Sequence, residues 1–130
     1  MSELEDRARA AQHHAYAPYS KFAVGAAVQM SGAIYTGVNV ENASYPLCVC
    51  AERNAIAAGV AAGARALEAV AVFTDASPPS SPCGACRQVL IELAPHPERV
   101  QVTALNGRGE RRSWTLAELL PDAFSGRELP

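Results

Sequence analysis

The stretch "AVAVFTDASPPSSPCGACRQVLIELAPHPERVQVTAL" (Ala69–Leu105) changes texture three times. Ala69 to Thr74 is a continuous apolar run of strand length, the pattern of a strand buried on both faces. "DASPPSSP" is a loop stiffened by proline, and "CGACRQVLIEL" reads as a helix that ends before Pro95. Val100 to Leu105 is the next strand. Strand, helix and strand in that order form a β-α-β unit with a right-handed crossover. A second unit lies just upstream, made of Ile34–Asn39, a helix from Cys50 to about Gly63, and the same strand at Ala69. Two successive units predict an α/β domain with helices packed on a largely parallel sheet.

The flanks add antiparallel edges. Val24–Met30 and Ile34–Asn39 surround Ser31-Gly32, a two-residue turn suited to a tight hairpin. After Leu105 the turn "NGRGE" is too short for a crossover, so "RRSW" returns antiparallel as a fifth strand. Ser2 with Glu5, and Thr115 with Glu118, form capping boxes. The first opens a helix in which Leu4, Ala8, Ala11 and Ala15 recur until Pro18; the second opens a short helix stopped by Pro121.

A length of 130 residues without a linker or repeat predicts one domain, residues 1–130. Eleven basic against thirteen acidic residues leave a net charge of −2, which supplies no broad positive surface for a polynucleotide; a small substrate is expected. The N-terminus is charged, and the longest apolar run, Ala55–Ala64, spans ten residues against the roughly 20 that a membrane crossing needs. The expectation is a soluble, cytoplasmic protein that uses no membrane. In a reducing compartment its four cysteines read as thiols or metal ligands rather than disulfides.

Two short motifs concentrate those thiols. In "PCGAC" (Pro82–Cys86), Cys83 at a helix start and Cys86 one turn later can face one ion, although C-x-x-C also serves as a redox pair. "CAER" sets Cys50, Glu52 and Arg53 at the start of the upstream helix, where a glutamate commonly caps free amides and a cysteine is commonly buried. A redox pair leaves the Cys50–Glu52 combination without a role. Three thiolates and one open position instead make a catalytic zinc site, with Glu52 beside the ion but not on it. Two helix N-termini aimed at the sulfurs, together with Arg53, would offset the excess negative charge. Alternation along the lead-in turns Cys48 away from Cys50, and His13, His14 and His96 have no acidic or thiol partner nearby in sequence.

"CAER" with "PCGACRQ" resembles the zinc-dependent cytidine deaminases of the short, homotetrameric type, whose three-cysteine signature is a general one. "YAPYSKFAVGAA" (Tyr16–Ala27), "NVENASY" (Asn39–Tyr45) and "LLPDAF" (Leu119–Phe124) extend the resemblance over most of the chain in the family's order. It implies a three-layer α/β/α fold with a five-stranded mixed sheet. It also implies Zn²⁺ on Cys50, Cys83 and Cys86, Glu52 as proton shuttle and Arg53 on the ligand thiolates. Asn39 and Glu41 would hold the ribose, Phe22 and Tyr45 would wall the pocket, and Phe124 would reach a neighbouring subunit's site in a homotetramer. Without the family motif, the same residues read as turn formers, strand core and helix packing. The implied activity is hydrolytic deamination of cytidine and deoxycytidine in pyrimidine salvage. A blasticidin-type deaminase shares the metal motifs without needing Asn39 and Glu41. A polynucleotide deaminase conflicts with the charge, and a zinc-binding interaction module would have a closed fourth ligand and no use for Glu52.

Overall fold

The computed structural model describes residues 1–130. In chain order the elements are α1 (Glu3–Gln12), β1 (Gly25–Met30), β2 (Ala33–Val38), α2 (Ala51–Ala61), β3 (Leu67–Phe73), α3 (Gly84–Glu92), β4 (Gln101–Leu105), β5 (Arg111–Thr115) and α4 (Leu116–Leu119), with three short 3-10 turns between and after them. Both capping boxes form, Ser2 with Glu5 and Thr115 with Glu118. The hairpin turns where expected: Ser31 and Gly32 take φ of 50° and 85°, the left-handed pair that matches the twist of the flanking strands.

The five strands lie in the order β2-β1-β3-β4-β5. β3 and β4 are parallel; the other three pairings are antiparallel. The sheet is therefore mixed, as the family resemblance implies, and not largely parallel as the two β-α-β units suggest. β2 and β3 do run in the same direction, but β1 separates them. The tight hairpin has already filled the inner edge of β2, so the crossover through α2 lands one strand further on. The expected end of α1 is also corrected. The helix stops at Gln12, not near Pro18, because the Gln12 side chain turns to Ala23 O and Asp75, and Tyr16 pairs with Val40.

Alternation along the strands divides the interior into two layers. Ala27, Ala71, Phe73 and Leu105 meet Ala8 of α1 on one face. Ala26, Val28, Met30, Val70, Val72 and Val102 meet Ala51, Ala55, Ile56, Leu90 and Leu116 of α2, α3 and α4 on the other. Small residues set the depth of these layers. A Cβ on Gly37 would stand 2.3 Å from Ala55 N and 2.5 Å from Ala51 O, so α2 rests directly on the β2 backbone. Helix α2 thus packs one side, Ala51, Ala55 and Gly59, on its own sheet, and leaves Ala57, Ala58 and Ala61 exposed. No helix is long and apolar enough to cross a membrane.

Candidate metal and active site

Strands β2 and β3 each feed a helix whose first turn begins at the carboxyl end of the sheet, the usual place for ligands in open α/β sheets. Cys50 is the N-cap of α2 and Cys83 the N-cap of α3. Since α2 and α3 pack against each other, their N-caps meet: Cys50 Sγ and Cys83 Sγ are 3.7 Å apart. Cys86 is fully buried one turn into α3, and the Sγ atoms of Cys50, Cys83 and Cys86 all lie within 4.8 Å of one another. Two bonds of about 2.3 Å at a tetrahedral angle separate zinc-bound sulfurs by about 3.8 Å, so the thiol spacing fits a single ion. No histidine and no carboxylate joins the group, which leaves a fourth coordination position open. Cys48 stands apart, with its Sγ engaged by the backbone N and O of Asn42 at 3.3 and 3.6 Å. His13, His14 and His96 are exposed and remote from the thiols in the metal group.

The electrostatics divide the thiols. A hydrogen bond from Cys86 lowers the Cys50 pKa to about 5, with further help from Arg53 and Cys83 against the cost of burial. The Cys86 thiol is raised by its interaction with Cys50, by burial and by the nearby Glu52 charge. Arg53 Nη2 donates to Cys50 Sγ at 3.6 Å, as the family pattern implies, and its Nε is buried without a partner. The helix ends contribute unequally. Cys83 Sγ accepts the Cys86 amide at 3.5 Å, whereas Cys50 Sγ accepts no amide of its helix. The expectation of two amide-donating helix ends therefore holds for α3 alone, and the guanidinium does that work at Cys50.

Glu52 follows Cys50 by two residues and turns inward. It is 5 % exposed. Burial, with the Cys50 charge adding to it, lifts its carboxyl to about 7 although its backbone hydrogen bond and Arg53 pull the other way. A carboxyl that exchanges its proton near neutral pH is suited to both general-base and general-acid work.

The loops beside the thiols gather the remaining candidates. Asn39 Oδ1 accepts the Val24 amide at 2.9 Å and Asn39 Nδ2 donates to Phe22 O at 2.7 Å. Glu41 Oε1 accepts the amides of Tyr19 and Ser20, and Oε2 accepts the Ser20 hydroxyl, which holds the carboxyl below its ordinary range. Each side chain keeps hydrogen-bonding capacity: one N–H and one lone pair on Asn39, and one lone pair on Glu41 Oε2. Tyr45, 70 % exposed, meets Tyr19 edge-on at 6.2 Å between ring centroids. Tyr19, Ser20, Glu41, Tyr45 and Cys48 line a cavity of about 270 Å³. Phe22 and Phe124 are exposed at 41 % and 57 %, so neither is the core residue that strand or helix packing would make it. A larger cavity of about 510 Å³, lined by Glu68, His96 and Arg99 among others, opens at the opposite end of β3 and contains none of these groups.

One contributor escaped the sequence reading. Arg87, directly after the C-x-x-C pair, donates from Nε to Pro82 O at 2.7 Å and from Nη2 to Ser81 Oγ at 3.0 Å, which pins the residue before Cys83. Its position in "PCGACRQ" was the available signal.

Fold and site together define a class: an α/β domain that presents three thiols and a buried carboxyl at two adjoining helix starts. Residues 1–104 match the model of the cytidine and deoxycytidylate deaminase zinc-binding region, and the chain belongs to that family. It is 44% identical over 130 residues to a cytidine deaminase of Sporosarcina psychrophila, covering 99% of this chain and 94% of that one. With a cytidine deaminase of Halalkalibacterium halodurans it shares 45% identity over 120 residues, covering 92% and 89%. The crystal structure of cytidine deaminase from Burkholderia pseudomallei superposes with a TM-score of 0.88 at 48% identity, covering 95% of this chain and 100% of that chain.

Proposed function

We propose that this chain, as a single deaminase domain over residues 1–130, hydrolyses cytidine and deoxycytidine to uridine and deoxyuridine with release of ammonia. The observation that carries the reading is the buried Glu52 carboxyl at the start of the helix capped by Cys50, beside three thiols spaced for one ion. Cys50, Cys83 and Cys86 would hold Zn²⁺, which when bound supplies a Lewis acid able to make water nucleophilic near neutral pH. Glu52 takes a proton from the attacking water and delivers it to N3 of the cytosine ring, which makes C4 more electrophilic. It then carries a second proton to the 4-amino nitrogen. Water adds to C4 and ammonia leaves, so one carboxyl acts in turn as base and acid. Arg53 keeps the thiolate cluster from accumulating negative charge by its bond to Cys50.

Asn39 and Glu41 offer their free N–H and lone pairs to the ribose hydroxyls, while Phe22 and Tyr45 flank the base and sugar. A cavity of about 270 Å³ adjoins Glu41 and Tyr45, and its lining includes neither the three thiols nor Glu52. The exposed Phe124 ring and the bare Ala57–Ala58–Ala61 side of α2 support a homotetramer in which Phe124 of one chain closes a neighbour's pocket. The reading includes a cytoplasmic place in pyrimidine salvage. Ammonia release from cytidine, deoxycytidine, adenosine and blasticidin S, with zinc stoichiometry on the same sample, tests it. Turnover confined to the first two supports the assignment; turnover of blasticidin S alone replaces it.

A further inference from the structure

The helix that carries two of the thiols also holds the C-terminal segment that carries Phe124. Arg87 Nη1 donates to Leu119 O at 2.9 Å, and Gln88 Nε2 donates to Phe124 O at 2.9 Å. Between these two anchors the chain has little else to fix it. Residues 121–124 form no helix or strand, and none of them takes part in a backbone–backbone hydrogen bond. The Gln88 bond is the one side-chain hydrogen bond that reaches them. Packing does not substitute for it, because Pro121, Asp122 and Phe124 are exposed, and a cavity of about 260 Å³ lined by Ile91, Ala94, Leu120 and Ala123 among others lies beneath the segment.

We propose that Gln88 is a positioning residue for substrate binding: its amide fixes the Phe124 backbone, and with it the aromatic wall that this chain lends to a neighbouring pocket. The inference rests on the proposed reading of Phe124. It assigns Gln88, one residue beyond Arg87 and two beyond Cys86, to the partner's substrate pocket and not to its own chain's metal. Without the bond, the segment must be ordered each time a nucleoside binds, and the cost appears in binding rather than in the chemical step.

The test is Gln88→Met, which removes the donor while keeping length and adding no charge near the thiols. KM for cytidine should rise about three- to tenfold, the effect of one lost neutral hydrogen bond, with kcat within about twofold. Zinc content should not change. Uridine binding, measured directly, should weaken by the same factor. On a Phe124→Ala background, Gln88→Met should add nothing, because the wall it positions is gone. Chains carrying Glu52→Gln should contribute negligible turnover of their own but retain Gln88 and Phe124, so after proven subunit exchange they should lower the KM of Gln88→Met chains toward the parent value.

Three results overturn the proposal in distinguishable ways. A normal KM in Gln88→Met, with a raised one in Phe124→Ala, means that the wall holds without Gln88. An effect that persists undiminished on the Phe124→Ala background, or that exchange fails to rescue, places Gln88 in its own chain's site. A normal KM in Phe124→Ala itself removes the shared wall, and this inference falls with it.

Discussion

Replacing Glu52 with Gln should make the metal-stripped protein more stable, and by an amount that depends on pH. Folding raises the Glu52 carboxyl from 4.5 to about 7, chiefly by burying it. Below about pH 4.5 the group is neutral in both the folded and unfolded chains, and nothing is lost. As pH rises toward 7 the unfolded chain ionises at Glu52 while the folded chain keeps its proton, so the stability associated with the neutral form disappears. The rise from 4.5 to about 7 amounts to about 3 kcal/mol by pH 8. Solvent screening does not reduce the figure much, because the residue is 5 % exposed. Glutamine never ionises and is spared this loss. Urea unfolding followed by circular dichroism, in chelator and reductant at matched protein concentration, should therefore give a stability difference that widens by about 3 kcal/mol in favour of Glu52→Gln between pH 4.5 and 8. Titrating groups remote from Glu52 are common to both proteins and cancel to first order, whereas Cys50 and Cys86 interact with its charge and contribute to the difference. A difference that stays flat across that window, or narrows, would refute the argument that burial holds the carboxyl neutral.

Two further substitutions probe the thiols. Cys83→Ala should lose zinc and soften the start of α3, since the same sulfur lies in the metal group and accepts the Cys86 amide. Full zinc occupancy in that variant, measured by atomic absorption, would mean that Cys48 or another group is the ligand. Arg53→Gln should move the Cys50 thiol upward from about 5 in metal-free protein, because the guanidinium bond is one of the forces holding it down. Thiolate absorbance against pH reads this directly, and an unchanged titration would leave the lowering to Cys86 and Cys83 alone.

The parts of this molecule that were legible in the sequence are those fixed by near neighbours. Ser2 with Glu5 and Thr115 with Glu118 cap helices because donor and acceptor sit three residues apart. Ser31-Gly32 turns the hairpin because those two residues accept positive φ. Strand order was not legible in the same way. The composition of β2, α2 and β3 is that of a β-α-β unit, but nothing in those residues records that β1 already lies between the two strands. Likewise α1 has periodic alanines beyond Gln12, and it ends early because a side chain from Gln12 and a bridge from Tyr16 reach residues distant in sequence. In the site, Cys50, Cys83 and Cys86 were readable as a set because zinc needs thiols from more than one segment, and the structure brings the three together. The unequal support of Cys50 and Cys83 could not be read, since it depends on where Arg53 points. Arg87 and Gln88 act on backbone carbonyls over thirty residues away, and a carbonyl carries no sequence signature.

The central claim is that a single buried carboxyl moves the protons beside a three-thiol zinc site, and one sample tests it. Zinc content and cytidine turnover should be measured together on Glu52→Gln. The account predicts one zinc per chain, with uridine formation reduced by about a hundredfold to ten-thousandfold, the loss expected when a general acid–base group is removed. Turnover near that of the parent protein, with zinc in place, would contradict it.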